Sequence, residues 1–336
     1  NSHTDYGNCL VKPLFMWAGG KTRLIKKYKK RGVLPRTIEH YVEPFMGAGA
    51  MFVWAYNRNP NAHFVLNDYN KYIMSIYNTI RGDCNNFLNR VDKLQSQYLP
   101  LNNKNEVTYT RLIKPKLQEE GEEDIKPPKE RRGGERKKFY YKLLDEYIHN
   151  HKQWSNTEED ATLYFLLKTG FNGIWQTTKD SGDRYATPAG LLNHSKKMYD
   201  KNNVLKWEQA LQNTTLLTGD FGKVLPYVQS NSYVFLDPPY RGSFTQYGVD
   251  FDDTWQEHVI KFLNDSTKLG AYAMLSNRVV EDEEDDFFES RRVKNEIIYF
   301  DVTYTAGRRK QAGVDEEGNT IFEAKKAREI LMIGKK

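Results

Sequence analysis

The chain has 336 residues, enough for one large domain or two ordinary ones, with 39% hydrophobic and 28% charged residues. No apolar run approaches the ~20 residues of a membrane span, and no signal-peptide pattern opens the chain, so a soluble intracellular protein is expected. The net charge of +6, the pI near 8.9 and the 22 Tyr and 17 Phe suit a partner with phosphates to neutralise and bases to stack.

Residues 13–21 read as a loop entering a basic helix at Thr22 to Lys30. The Gly-Gly-Lys-Thr at its end suggests a phosphate-binding loop, but that motif needs a Gly where Phe15 stands. The spacing therefore excludes a nucleotide-triphosphate loop. What it leaves is a backbone open to close approach at Gly19 and Gly20, flanked by Trp17 and Lys21. Cys9 and Cys84 lie in neither metal nor redox spacing and read as packing residues.

The stretch from His40 predicts a strand to about Glu43, a turn holding Gly47 and Gly49, and a helix from Ala50. A second apolar run, His63-Phe64-Val65-Leu66, ends in Asn67-Asp68. A strand, glycine turn, helix, strand and terminal acid form a nucleoside-binding arrangement, in which the acid holds ribose hydroxyls. A dinucleotide fingerprint would place a third Gly where Phe52 stands; the bulky ring leaves a nucleoside without its pyrophosphate. A tight turn followed by a surface Asp would also produce this pattern.

After a helix at about 70–80, the sheet pattern stops until about Gln212, and the intervening sequence is helical and polar. Within it, residues 115–138 carry too little apolar content to bury a core and are expected to form a mobile loop. Residues 171–188 read as a hairpin around Lys-Asp-Ser-Gly-Asp; a two-stranded ribbon fits a DNA major groove, and Lys179 and Arg184 lie near its tip. An excursion of this length inside an α/β sheet calls for a function, here substrate recognition.

The α/β pattern resumes at Leu216 to Phe221, followed by the apolar run Tyr233-Val234-Phe235-Leu236 and then Asp237-Pro238-Pro239-Tyr240. Neither proline can continue a ladder, so the chain leaves the sheet at Asp237 with a carboxylate, a fixed kink and an aromatic face together. Ligands of open α/β sheets bind at such strand mouths; an ordinary turn acid would look the same over four residues. A helix (about 254–265) and a strand Tyr272–Leu275 ending at Ser276-Asn277 follow, and the acidic run 281–286 reads as a solvated helix start. Two β-arms, Lys294 to Thr305 and Thr320 to Ile333, are joined by a glycine-rich basic loop with Arg308, Arg309 and Lys310.

Taken together, Trp-Ala-Gly-Gly-Lys (17–21), Glu-Pro-Phe-Met-Gly-Ala-Gly (43–49), Leu-Asn-Asp (66–68), Phe-Asn-Gly (171–173), Gly-Asp-Phe (219–221), Asp-Pro-Pro-Tyr (237–240) and Leu-Ser-Asn (275–277) resemble the Dam-like alpha group of DNA adenine-N6 methyltransferases. The resemblance runs from Pro13 to about Ile333 and implies a Rossmann-like α/β sheet with an inserted, mainly helical DNA-recognition domain carrying a β-hairpin. Residues 10–82 and 213–336 would form the catalytic domain and 83–212 the recognition domain. It also implies S-adenosyl-L-methionine (AdoMet) as methyl donor, no metal, and double-stranded DNA as partner. A cognate restriction endonuclease acting on the same sequence is a further expected partner, and a membrane is not.

Carried over by residue, Trp17, Gly19, Gly20 and Lys21 line the donor site, and Phe45, Gly47 and Gly49 lie under its methionine part. Asp68 takes the ribose hydroxyls and Asp220 and Phe221 flank the adenine. Asp237, Pro238, Pro239 and Tyr240 hold the target base, Asp237 also bordering the donor. Asn172, Lys179, Arg184, Arg308 and Arg309 are the candidate DNA contacts. Met16 stands where many relatives carry Lys, and Ile174-Trp175 where they carry an Arg or polar residue, so GATC is not assumed as the target.

The residues support direct transfer. If Asp237 and the Pro238 carbonyl each accept one amine hydrogen, the nitrogen lone pair can turn toward the donor methyl, and Tyr240 can stack on an extruded base. No Pro-Cys nucleophile for cytosine ring methylation is present. Competing readings are methylation of an RNA base or a protein glutamine, an NAD-dependent oxidoreductase, and a catalytically silent DNA-binding module.

Overall fold

The computed structural model describes residues 10–17, 20–102, 134–242, 251–280, 285–303, 309–314, 316–317, 320–324 and 326–336. The chain divides into two compact units, one of Asn1–Gly20, Gly47–Val53 and Lys71–Gln212, the other of Lys21–Met46, Trp54–Asn70 and Asn213–Lys336.

The second unit carries a seven-stranded sheet. Its strands are β1 (His40–Glu43), β2 (His63–Asp68), β3 (Thr214–Thr218), β4 (Ser232–Leu236), β5 (Tyr272–Val280), β6 (Glu296–Thr303) and β9 (Lys326–Ile333), in the order β3-β2-β1-β4-β5-β9-β6. The first five run parallel, while β9 is antiparallel to both β5 and β6. β1 and β4 are buried at every position, as expected for strands covered on both faces, which read as unbroken apolar runs. Strand order reverses between β1 and β4, and the mouth of such a switch point is where doubly wound sheets bind ligands. This is a Rossmann-like α/β sheet.

Helix α1 (Thr22–Arg31) belongs to this unit. Its Leu24, Ile25 and Tyr28 are buried, and Tyr28 meets Phe235 of β4 and Phe300 of β6 edge-on. The alternating positions Val42, Val234, Leu236, Ala273 and Leu275 instead pack with the 3-10 turn Phe221–Tyr227 and with Val259 and Leu263 of the helix Asp253–Lys268.

The first unit is helical. Helix α2 (Ala50–Arg58) starts in it, and it contains α3 (Lys71–Gly82), α4 (Cys84–Tyr98), α5 (Glu135–His149), α6 (Asn156–Thr169) and α7 (Lys201–Ala210). The helix of the other unit just described is therefore α8 (Asp253–Lys268). Ser155 caps α6 by accepting from the Glu158 amide, and α6 is buried from Asp160 to Leu167. Cys84 is a buried free thiol, whereas Cys9 lies outside the described residues. Among the described residues no helix is long and apolar enough to cross a membrane.

Several sequence expectations change. Of the loop expected at 115–138, residues 115–133 lie outside the described residues and Glu135 onward is helix, because Tyr140, Leu143, Leu144 and Tyr147 supply a buried stripe. The hairpin at 171–188 is not a strand pair. An isolated bridge, Gly170 with Ala189, closes a loop held by side chains. Thr187 Oγ1 donates to the Ile174 carbonyl (2.6 Å) and accepts from the Gln176 amide (3.0 Å), taking the groups a ladder would use. β5 runs on past Leu275 to Val280, since Ser276, Asn277 and Arg278 pair with β9. The basic loop between the last two arms includes a strand, β7 (Arg309–Val314), paired antiparallel with β8 (Thr320–Ala324). Residues 281–284 lie outside the described residues, and Asp285 opens no α-helix; it accepts from Arg241 instead.

Candidate active site

Asp237 stands one residue beyond the last paired position of β4, Leu236 opposite Leu275, so the next residue of β5, Ser276, faces it. The Ser276 hydroxyl donates to Asp237 Oδ1 at 3.4 Å, and Lys21 Nζ lies 3.1 Å from the same oxygen. Both contacts fall on Oδ1, and the side chain keeps 19% of its exposure. Burial raises the Asp237 carboxyl above the usual range, with Lys21 and Ser276 pulling it back.

Lys21, just before α1, is itself buried, and its ammonium also donates to the Tyr240 hydroxyl. That hydroxyl lies 3.2 Å from Ser276 Oγ. Burial, and after it the Asp237 and Glu329 carboxylates, hold the Tyr240 phenol well above its ordinary value, so it stays protonated. Lysine, aspartate, serine and tyrosine thus form one hydrogen-bonded group at the strand mouth.

From the opposite face of β5, Asn277 fixes the backbone of the same turn. Its Oδ1 accepts from the Arg241 amide (3.1 Å) and its Nδ2 donates to Gln256 Oε1 (3.1 Å). Gln256, fully buried on α8, in turn donates to the Pro239 carbonyl (2.9 Å). The Arg241 guanidinium is anchored by Asp253 (2.7 Å) and Asp285 (2.9 Å).

The strand ends beside this turn carry the other expected groups of the unit. Asp68 closes β2, with Oδ1 accepting from the Asn70 amide at 2.9 Å. Asn67 joins two loops, donating to the carbonyls of Pro44 (2.9 Å) and Gly219 (3.0 Å). Asp220 caps the 3-10 turn through the Gly222 amide (2.8 Å) and remains exposed. Phe45, Phe221 and Trp255 form a triangle with ring centroids 5.2–5.6 Å apart, Phe45 and Trp255 half-buried.

A model of the D12 class N6 adenine-specific DNA methyltransferases matches residues 17–285. The chain belongs to this family. It is 29% identical over 278 residues to the Type II methyltransferase M.MjaIII of Methanocaldococcus jannaschii, covering 80% of this chain and 84% of that one. It is 23% identical over 279 residues to the Type II methyltransferase M1.LlaDCHI of Lactococcus lactis subsp. cremoris (80% and 81%). To a DNA adenine methylase of Vibrio cholerae it is 22% identical over 249 residues (70% and 71%). The protein is an adenine-specific DNA methyltransferase, and the family implies AdoMet as donor and DNA as substrate.

In the helical unit of this methyltransferase, Gly47 adopts φ +49°, and a Cβ there would come within 2.9 Å of Trp17 Cδ1 and Nε1. Only glycine lets the indole lie against the turn. Tyr77 donates to the Gly47 carbonyl (2.8 Å), and Gly49, with φ +75°, leads into α2. The Gly20 amide donates to the Trp17 carbonyl (3.1 Å), and Gly19 lies outside the described residues. Gly173 (φ +64°) sits against the Met16 backbone, and a Cβ would come within 2.5 Å of it. The Phe-Asn-Gly motif is thereby explained by close approach of two loops.

The candidate DNA contacts separate into distinct environments. Asn172 (φ +49°) and Lys179 are exposed. Arg184 is not at a tip. Its side chain is 15% exposed, ion-paired with Glu159 and bonded to the Tyr147 carbonyl (3.3 Å), because the loop folds back on α5 and α6. Arg308 lies outside the described residues, and Arg309 opens β7.

Sequence reasoning missed Gln256, Glu329 and Trp255. Of these, only Trp255 offered a signal, as an aromatic in the first turn of a helix following Asp-Pro-Pro-Tyr (237–240).

Proposed function

We propose that this methyltransferase passes the methyl of AdoMet directly to the 6-amino nitrogen of an adenine turned out of duplex DNA, with Asp237 and the Pro238 carbonyl as hydrogen acceptors. The observation that carries this reading is the one-sided use of the Asp237 carboxylate. Lys21 and Ser276 both take Oδ1, and among the described residues Oδ2 makes no hydrogen bond. A fixed acceptor at a strand mouth can take one amine hydrogen while the carbonyl takes the other, and the nitrogen lone pair then turns outward. Fixed acceptors of this kind stabilise charge developing on nitrogen without reorganising. After transfer that nitrogen must shed a proton, and a carboxylate made more basic by burial is suited to receive it.

The residues present fit AdoMet. The acid ending β2 suits ribose hydroxyls, and the half-buried Phe45 and Trp255 rings beside Phe221 suit a purine. When bound, AdoMet supplies an electrophilic methyl. Asp68, Asp220 and Phe221 are proposed for its nucleoside, and Trp17, Gly20, Gly47 and Gly49 for its methionine part. Tyr240, held by its hydroxyl, leaves its ring for stacking on the extruded base.

Residues 83–212, which include α4 to α7, are proposed as the target-recognition domain, with Asn172 and Lys179 contacting the duplex. Two relatives are named as Type II methyltransferases, which supports a cognate restriction endonuclease as partner. The test is tritiated-methyl incorporation into duplex DNA. Asp237→Ala is expected to abolish it in a folded protein, and near-normal turnover would remove the mechanism.

A further inference from the structure

Behind the hydroxyl of Tyr240 lies a carboxylate that the reaction as written does not use. Glu329 of β9 is 3% exposed and pairs across the antiparallel ladder with Arg278 of β5, itself 6% exposed. Directly opposed residues of such a ladder share a face. Ser276 and Arg278, two apart, share it as well. Ser276 bonds to Tyr240 and Asp237, and the Arg278 guanidinium stands 5.7 Å from the Tyr240 ring centroid. Glu329 therefore faces the catalytic group. Its carboxylate interacts electrostatically with Lys21, Tyr240, Asp237 and Arg278.

The charges in this buried cluster are Lys21 and Arg278 on one side, Asp237 and Glu329 on the other. They cancel. Without Glu329 the strand mouth would hold two cations and one anion, and Asp237 already shares its charge with Lys21. A low-dielectric pocket with a net positive charge repels a further cation strongly. The donor proposed above is such a cation at its reacting sulfur.

We infer that Glu329 is a positioning residue of the methyl-transfer site: its carboxylate offsets the buried Lys21 and Arg278 charges, so that the mouth of β4 admits a sulfonium. This rests on the AdoMet reading and adds to it a residue that selects for the charge of the donor. It makes no contact with the methyl group and acts through Lys21 and Tyr240.

Calorimetric titration with AdoMet and with S-adenosylhomocysteine, the same molecule lacking the methyl and the positive charge, separates this role from structural support. Glu329→Gln keeps the shape and removes the charge. It is expected to weaken AdoMet on the order of tenfold more than S-adenosylhomocysteine, the size of one unit charge felt across about 12 Å at an effective dielectric near 20. Glu329→Asp should restore the wild-type ratio of the two affinities. Equal losses for both ligands, or none, would overturn the inference. Should Glu329→Gln not fold, Arg278→Gln tests the opposite sign: the AdoMet to S-adenosylhomocysteine affinity ratio should rise above wild type, and an unchanged or lower ratio refutes the proposal. If the wild-type protein binds neither ligand, the donor reading itself fails and this inference with it.

Discussion

Replacing Gln256 with leucine should slow methyl transfer although residue 256 never touches a substrate in the proposed reaction. In the wild type its amide bridges Asn277 Nδ2 and the Pro239 carbonyl at 3.1 and 2.9 Å, from a fully buried position on α8. Leucine fills similar volume but strands both groups. A stranded buried polar group costs roughly 1–3 kcal/mol, so the gross loss is about 2–6 kcal/mol. Added apolar burial returns about 1.5 kcal/mol, leaving a net loss of about 0.5–4.5 kcal/mol. Typical domains are stable by about 5–15 kcal/mol, so the variant should fold. With its backbone tether gone, the turn bearing Asp237 and Pro238 can drift, and a displacement of about 1 Å costs on the order of a hundredfold in rate. Urea unfolding gives the first quantity and single-turnover methylation the second, with AdoMet affinity as control. A Gln256→Leu enzyme that transfers methyl at the wild-type rate, with the expected stability loss present, would show that the turn needs no holding from this face.

Gly47→Ala must place a methyl within 2.9 Å of the Trp17 indole at a φ of +49°, so a loss of about 1–3 kcal/mol in unfolding free energy is expected, with weaker AdoMet binding by calorimetry. Asp68→Ala should weaken AdoMet by about tenfold or more while leaving the affinity for DNA alone unchanged; an unaltered AdoMet affinity would reassign the acid. Asp160 of α6 offers a pH test. It is 7% exposed, and burial pushes its carboxyl up to about 6 against the pull of Thr79 and Ser75, which donate at 2.6 and 2.8 Å. A raised acid binds its proton more tightly in the folded state, so its contribution is fully present below pH ~4 and is lost as pH rises through about 6. From 3.8 to about 6 the loss is at most about 3 kcal/mol, so Asp160→Asn should gain stability at pH 7.5 relative to wild type and lose that gain at pH 4, by urea melts at both.

The central strands were legible because they are covered on both faces, and β1, β2 and β4 appear as apolar runs that end at chemically marked residues. The strand that completes the site was cut short in the sequence reading for the opposite reason. Ser276, Asn277 and Arg278 look like a loop, yet all three are buried: Ser276 bonds to Asp237, Asn277 to Gln256, and Arg278 stands opposite Glu329 in the ladder. Function hid the element. The misread hairpin has a different cause: its β-prone residues spend their backbone groups on Thr187 and the loop ends, and Arg184 turns inward to Glu159. Gln256 and Glu329 carry no local motif. Their significance exists only once α8 and β9 are placed beside β5.

The alternation of β5 explains why the Asp237 turn is held as it is. Even positions, Ser276 and Arg278, look toward Lys21, Tyr240 and Glu329, whereas the odd position, Asn277, looks toward Gln256. Charge is therefore set from one face of the sheet and backbone position from the other. A slip of one residue between β5 and β4 would exchange the two sets and leave Asp237 opposite an amide in place of a hydroxyl. The register is protected against this by the aliphatic residues before it, since the slip would also turn Ala273 and Leu275 out of the core they share with α8. The same apolar packing that makes the sheet stable thus fixes which polar groups can reach the carboxylate. Substitutions on the two faces should accordingly separate in experiment, those at Glu329 or Arg278 altering discrimination by ligand charge, and those at Gln256 or Asn277 altering the rate with that discrimination intact.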